Sequence, residues 1–210
     1  MKKVVIFFVV FNNLVAFASS GTLHNQWFNN SVRINLSKGY FVNLSEQHKY
    51  TEHYFDNLYS RNWVLGLGKK AGKGLVSLNY KQELKDGVVE ERFFVDYTLF
   101  YRVFQKISFS LRQRLERRHF KNFAKKGSYR LRFMFKFSFK IKVFQHVLNP
   151  YIAVEPQFSS VGNRFCRNRA YAGLKLKLNR NTKFNFGYMR EDNAGKTARG
   201  VFYSGFNFYF

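Results

Sequence analysis

Cysteine is almost missing from this chain: Cys166 is the single one in 210 residues. An intramolecular disulfide is thereby excluded, so a chain bound for an oxidising compartment must find its stability elsewhere. With no motif around it, Cys166 is read as an inert loop thiol. Acidic residues are few, 12 against 36 Lys and Arg, which leaves a formal charge of +24. Such a balance usually marks a nucleic-acid binder, and where the charges sit along the chain has to decide. Long apolar runs are also lacking. The one at the N-terminus, from Val4 to Val15, is broken by Asn12 and Asn13 and falls short of the roughly 20 residues a membrane-spanning helix needs. No stretch has a convincing helical period, and no Gly-x-Ser-x-Gly, His-Glu-x-x-His or Cys-x-x-Cys signature occurs. The histidines, His24, His48, His53, His119 and His146, have no serine at a spacing that suggests a catalytic pair. No catalytic, cofactor or metal site is therefore assigned.

What is present begins with a leader. Lys2 and Lys3, the short apolar run and Ala16-Phe17-Ala18 have the order of a secretory signal, with cleavage expected after Ala18. Two domains follow from this: a removed signal over residues 1–18 and a mature domain over 19–210. No cysteine stands at the cleavage point, so a lipid-anchored form is not expected.

The mature chain alternates. Tyr129, Leu131, Phe133, Phe135, Phe137, Phe139, Ile141 and Val143 are interleaved with Arg130, Arg132, Met134, Lys136, Ser138, Lys140 and Lys142. Period two places these sets on opposite faces of a strand, one greasy and one charged. The strand exceeds the five or six residues usual in soluble sheets and is long enough to cross a bilayer at a tilt. The same pattern holds for Phe93 to Tyr101 against Arg92 to Arg102, for Ile107 to Leu115 against Ser108 to Arg118, for Ala170 to Leu178 against Arg169 to Lys177, and for Phe184 to Tyr188. Less regular strands are predicted at 26–36, 40–50, 62–69, 75–84 and 88–103, with turns at Ser37-Lys38-Gly39, Ala71-Gly72-Lys73-Gly74 and Lys85-Asp86-Gly87. Pro150 and Pro156 bracket a weaker strand in which Tyr151, Ala153, Glu155 and Gln157 share a face; it should end early or carry a bulge.

These features predict an all-β fold, a closed antiparallel up-and-down transmembrane β-barrel of 10 to 12 strands. Eleven segments are counted, but single-chain bacterial barrels carry an even number, so one N-terminal segment is expected to be misread. The longer connections fall on one rim and the shorter on the other, as in outer-membrane barrels. The last segment, with Phe202, Ser204, Phe206, Phe208 and Phe210 on one face, resembles the C-terminal strand that such barrels present to their insertion machinery. Phe206, Phe208 and Phe210 would carry that signal.

In a barrel the polar faces line the lumen. There Arg92, Arg102, Arg112, Arg114, Arg118, Arg130, Arg132, Lys136 and Arg169 would meet the smaller acidic set Asp96, Glu116 and Glu155. Two outcomes are open and compatible: a filled interior of mutually satisfied charges, or a basic constriction that selects anions. Lys140, Lys142, Lys175, Lys177 and Lys183 are read as a solvated rim or as headgroup contacts. Lys121, Lys125 and Lys126 could touch lipopolysaccharide phosphates. Arg112-x-Arg114-x-Glu116-x-Arg118, Arg130-x-Arg132, Pro150-x-x-x-x-Glu155 and Arg169-x-x-x-Gly173 resemble an uncharacterised family of outer-membrane β-barrels known only as a numbered domain of unknown function, the 2490 family. The resemblance runs over most of the mature chain. It implies fold and location, not activity.

The expected role is therefore structural, binding or passage of small anionic solutes through an Arg-lined lumen in the bacterial outer membrane. An outer-membrane lipid-modifying enzyme is the alternative. The expected partners are outer-membrane lipids, lipopolysaccharide and the insertion machinery. No cofactor and no nucleic acid are expected, and the chain is expected to be a monomer.

Overall fold

A computed structural model of the chain describes residues 24–51, 57–121, 127–143, 146–161, 164–195 and 198–210. The leader read at residues 1–18 lies outside them. The strands are β1 (His24–Asn35), β2 (Tyr40–Thr51), β3 (Asn57–Ala71), β4 (Gly74–Lys85), β5 (Val88–Phe104), β6 (Ile107–Phe120), β7 (Ser128–Phe139), β8 (Ile141–Val143), β9 (His146–Val154), β10 (Gln157–Ser159), β11 (Arg164–Lys177), β12 (Thr182–Asn193) and β13 (Arg199–Tyr209). Each pairs with its neighbours along the chain, and β13 returns to β1.

Two of these are continuations. β8 extends β7 past Lys140, and both lie against β9. β10 extends β9 beyond Pro156 and lies between β7 and β11. The break is the one the two prolines predict, with a register shift at Gln157/Phe158. Proline 156 cannot donate to a ladder, yet the path stays joined: the Glu155 N–H donates to the Arg169 carbonyl at 2.7 Å and the Phe133 N–H to the Pro156 carbonyl at 3.2 Å. Eleven strand paths thus close the barrel among the described residues.

The count of eleven corrects the expectation of an even number. Every pair is antiparallel except the closing one, β1 with β13, which is parallel. The reason is arithmetic: strands alternate in direction in an up-and-down chain, so an odd count leaves the first and last running the same way. The parallel ladder pairs His24↔Gly200 through Phe28↔Ser204, lapses at Asn29 and Asn30, and resumes at Ser31↔Asn207. Side chains bridge the lapse. Asn30 Oδ1 accepts the Phe206 N–H at 3.1 Å, and Ser31 Oγ donates to Asn207 Oδ1 at 2.8 Å. At the end of the seam the Phe210 N–H donates to the Arg33 carbonyl at 2.8 Å, and the Phe210 carbonyl accepts from the Asn35 N–H at 2.6 Å.

The faces are inverted relative to a soluble protein. Leu78 is 63% exposed and Phe93 60%, whereas Glu155 and Glu191 are 0% exposed. Outward positions carry Leu44, Leu65, Leu67, Val95, Leu115, Leu131, Phe135, Phe137 and Ile152. Among the described residues, a buried apolar cluster of Trp27, Met189 and Val201 sits inside with Tyr171 and Tyr203 against it. Hydrocarbon outside and charge inside is the distribution a membrane barrel requires.

The connections after β1, β3, β5 and β11 are short and share one rim, called here the turn rim. Those after β2, β6, β10 and β12 share the other, the loop rim, together with a tight turn whose central residues, Asp86 (φ 48°) and Gly87 (φ 75°), have the left-handed values of a type I′ hairpin. On the turn rim the β5–β6 hairpin runs past the end of β4, which stops at the Gly74↔Leu99 pair. Arg102 lies on this extension and is exposed. Its expected luminal place is thereby corrected.

The seam supplies a direct test. A Cβ at Gly205 would lie 1.7 Å from the Asn29 carbonyl oxygen, so β1 and β13 approach only because that position is glycine. Gly205→Ala is expected to cost about 3 kcal/mol or more, the upper range for forced overpacking. It should abolish the compact band seen on gels before boiling. An unchanged compact band would mean that the seam is not as described.

Candidate functional site

Alternation on successive strands turns Glu90, Arg92, Phe94 and Asp96 of β5, Arg112, Arg114, Glu116 and Arg118 of β6, and Arg130, Arg132, Met134 and Lys136 of β7 into the lumen. Residues Tyr151, Ala153, Glu155 and Gln157 follow from the β9–β10 path, and Arg167, Arg169, Tyr171 and Lys175 from β11. The cavity they line has a volume of about 680 Å³.

Glu155 is the hub. Its carboxylate takes Arg112 Nη2 at 2.5 Å, Arg132 Nη2 at 2.6 Å and Arg169 Nη1 at 3.5 Å, and accepts from Gln157 Nε2 at 2.7 Å. Arg112 stands on β6 and reaches Glu155 over the intervening β7, so this contact ties non-adjacent strands. Glu116 bridges Arg130 at 3.1 Å and Arg132 at 3.3 Å. Asp96 holds Arg114 in a two-pronged pair at 2.6 and 2.7 Å, and Arg114 also lies 4.0 Å over the Phe94 ring. All ten charges singled out from the sequence, Arg92, Asp96, Arg112, Arg114, Glu116, Arg118, Arg130, Arg132, Glu155 and Arg169, are placed inside and ion-paired.

Three further carboxylates extend the network. Glu83 on β4 takes Lys49 from β2, Lys81 at 3.0 Å and Arg92 at 2.8 Å, and accepts from Ser60 Oγ at 2.7 Å. Glu90 takes Arg92 at 2.7 Å and Arg118. Glu191 on β12 takes Arg167 at 3.2 Å, Arg169 at 2.7 Å and Arg199 of β13 at 2.5 Å. On β1, Trp27 lies between the two arms, its ring 5.0 Å from Lys49 Nζ and 5.4 Å from the Arg169 guanidinium. The pairs therefore form a belt that follows the wall around the barrel, with Trp27 bridging β1 through its π face.

The belt is uneven in charge. Six carboxylates meet eleven cations within it. Five of the six carboxylates have two or more cationic partners and Asp96 has a two-pronged one, the condition under which buried ion pairs hold a structure together. The excess positive charge remains as a field along the lumen.

Nearer the turn rim the composition changes. Lys136 Nζ stands 3.5 Å from the centre of the Tyr151 ring and Lys175 Nζ 5.8 Å from it. Lys183 lies 4.4 Å over Tyr209, and Arg33 4.3 Å over Phe41. Lys175 and Lys183 thus point inward, which corrects their reading as rim lysines. Lys121 pairs with Glu91 at 2.8 Å; Lys125 and Lys126 lie outside the described residues. On the outer wall, Phe206 packs 5.0 Å from Phe184 and 6.2 Å from Phe208, and Phe210 is exposed.

Residues 24–200 match the family described as a protein of unknown function, DUF2490. The chain belongs to the DUF2490 family. No curated protein matches it in sequence. Among solved structures it is similar to the β domain of the Bordetella autotransporter BrkA, with a TM-score of 0.52 and 12% identity over 85% of this chain and 86% of that one. It is also similar to the NanC porin, with a TM-score of 0.51 and 8% identity over 80% of this chain and 87% of that one. At these identities the likeness is one of fold. This family member has an outer-membrane β-barrel fold with a strongly charged lumen.

Glu155→Gln leaves Arg112, Arg132 and Arg169 without the carboxylate they share. The expected loss is about 3–5 kcal/mol, as for breaking a buried pair from one side, read as a lower temperature of conversion between compact and extended gel bands. Glu46→Gln is the comparison: its carboxylate, 44% exposed, holds Arg61 at 3.0 Å and His48 at 2.7 Å, and about 1 kcal/mol or less is expected there. Equal effects from the two substitutions would show that the belt contributes no more than a surface pair.

Proposed function

We propose that this DUF2490 protein resides in the bacterial outer membrane and gives small anionic solutes a path or a binding place in its lumen. The observation that carries the proposal is the cation excess of the lumen, eleven paired cations against six carboxylates, with further lysines toward the turn rim. Rings of Arg and Lys are what anion-selective pores use. A cavity of about 680 Å³ leaves room for small solutes, and the porin-like neighbour supports the placement in a membrane. The apolar outer wall would meet lipid, Phe206, Phe208 and Phe210 would present the final strand to the insertion machinery, and the chain would act as a monomer. Surface lysines such as Lys121 would face lipopolysaccharide phosphates. No lipid chemistry is assigned to it; an enzyme would reveal itself as altered lipid A or phospholipid composition on gene deletion.

Reconstitution in planar bilayers under a potassium chloride gradient tests the proposal. An anion-selective reversal potential is expected, and neutralising Arg112 and Arg114 together, as Arg112→Gln with Arg114→Gln, should reduce that selectivity. No conductance, or conductance without anion preference, would contradict passage.

A further inference from the structure

Lys136, Lys175, Lys183 and Arg33 differ from every belt cation: among the described residues, none of the four is ion-paired with a carboxylate. They come from β7, β11, β12 and β1 and converge toward the turn rim. Lys136 and Lys175 meet at one ring, their Nζ atoms 3.5 and 5.8 Å from the centre of Tyr151. Arg33 Nε is buried without a hydrogen-bond partner. A luminal group of like charges with an orphaned donor is costly to hold together unless something of opposite charge enters it.

The wall is shaped to keep this place open. Tyr151 and Tyr203 join hydroxyl to hydroxyl at 2.7 Å, and the Tyr151 hydroxyl donates to Asn185 Oδ1 at 3.0 Å. The phenol ends of both tyrosines lie over Gly173, and the Tyr203 hydroxyl lies over Gly187 as well. A Cβ at Gly173 would come within 2.5 Å of the Tyr203 hydroxyl and 2.7 Å of Tyr151 Cζ, and one at Gly187 within 2.5 Å of the Tyr203 hydroxyl. The glycines therefore seat the rings against the wall, and the Tyr151 face carries the Lys136 ammonium 3.5 Å above it. Across the lumen, at the depth where Arg33 pairs with Asn43 along the ladder, β2 and β4 turn the uncharged Asn43, Ser45, Ser77 and Asn79 inward. At this depth one side of the lumen is cationic and the other is polar and uncharged.

We propose that this cluster is a binding site for a multivalent oxyanion of the phosphate or sulfate type. Lysine is a compact point charge suited to phosphate, and arginine adds a planar fork. A chloride ion would satisfy one cation, whereas an oxyanion carrying two charges and several acceptor oxygens satisfies the group. This deepens the anion-lumen reading, on which it rests for accessibility from solution, but binding and conduction are separable properties.

The test uses the full folded protein in detergent and measures its unfolding temperature with inorganic phosphate, sulfate or chloride at matched ionic strength. Phosphate and sulfate should stabilise it in a saturable way, and chloride should not. In a protein carrying Lys136→Gln with Lys175→Gln, loss of two charge-assisted contacts should weaken phosphate binding roughly tenfold or more. That variant should fold and be at least as heat-stable as the parent without phosphate, because repulsion is removed. Lys106→Gln, at an exposed turn, should leave binding unchanged. If the double variant does not fold, Lys175→Gln alone gives the same readout. Identical responses to phosphate and chloride, or undiminished phosphate binding in the lysine variants, would overturn the site. Saturable binding without any conductance would uphold the site and refute passage.

Discussion

The structure depends on closure of the backbone ladder. In hydrocarbon each unpaired amide costs several kcal/mol, and a sheet without an edge has none to leave open. With a single cysteine no intramolecular disulfide can substitute for that constraint, and among the described residues the buried apolar side chains that pack together inside are the small group of Trp27, Met189 and Val201. Closure with eleven paths forces one parallel seam, and this seam is where the sequence supplies unusual help: a glycine at 205, acceptors on Asn30 and Asn207, and a backbone clasp between Phe210 and the Arg33 to Asn35 segment.

Closure in turn dictates the electrostatics. With the outer face apolar, the polar residues that alternate with it are turned into a narrow space, and charges there must answer one another. The loop-rim half answers with carboxylates held by two or three Arg or Lys, or, at Asp96, by a two-pronged Arg114. The turn-rim half leaves cations unanswered. The same interior thus combines a belt of mutually satisfied ion pairs with a group of cations that no carboxylate among the described residues answers, at different depths of one barrel.

Much of this was legible in the sequence, and the parts that were not have physical reasons. The alternation at Tyr129 to Phe139 names inward and outward residues without ambiguity because both sets are chemically uniform. The β9–β10 break was legible in Pro156. By contrast, Asn29-Asn30-Ser31 is polar on both faces, so the inward direction of Arg33 is obscured, and adjacent Glu90 and Glu91 at a strand start do not reveal which enters the lumen. Glu83, Lys81 and Lys49 share faces with Ser77, Asn79, Ser45 and Asn43, a weaker polar signal that alternation on β2 and β4 still contains. Contacts such as Arg112 with Glu155 skip a strand and depend on barrel stagger, which spacing along one strand does not encode. The expectation of an even strand count came from a rule about barrels, not from a residue; the eleven segments themselves were present in the pattern.

Oxidative cross-linking across the closing seam tests the account most directly. Ser31→Cys and Asn207→Cys are directly paired positions on β1 and β13, and the pair can be placed together in a Cys166→Ser background and recovered from the outer-membrane fraction of cells. The expected result is an intramolecular disulfide that changes mobility on a non-reducing denaturing gel and disappears on reduction. A membrane-inserted protein that never forms this bond, or a soluble protein, would contradict the parallel-closed barrel on which the luminal chemistry rests.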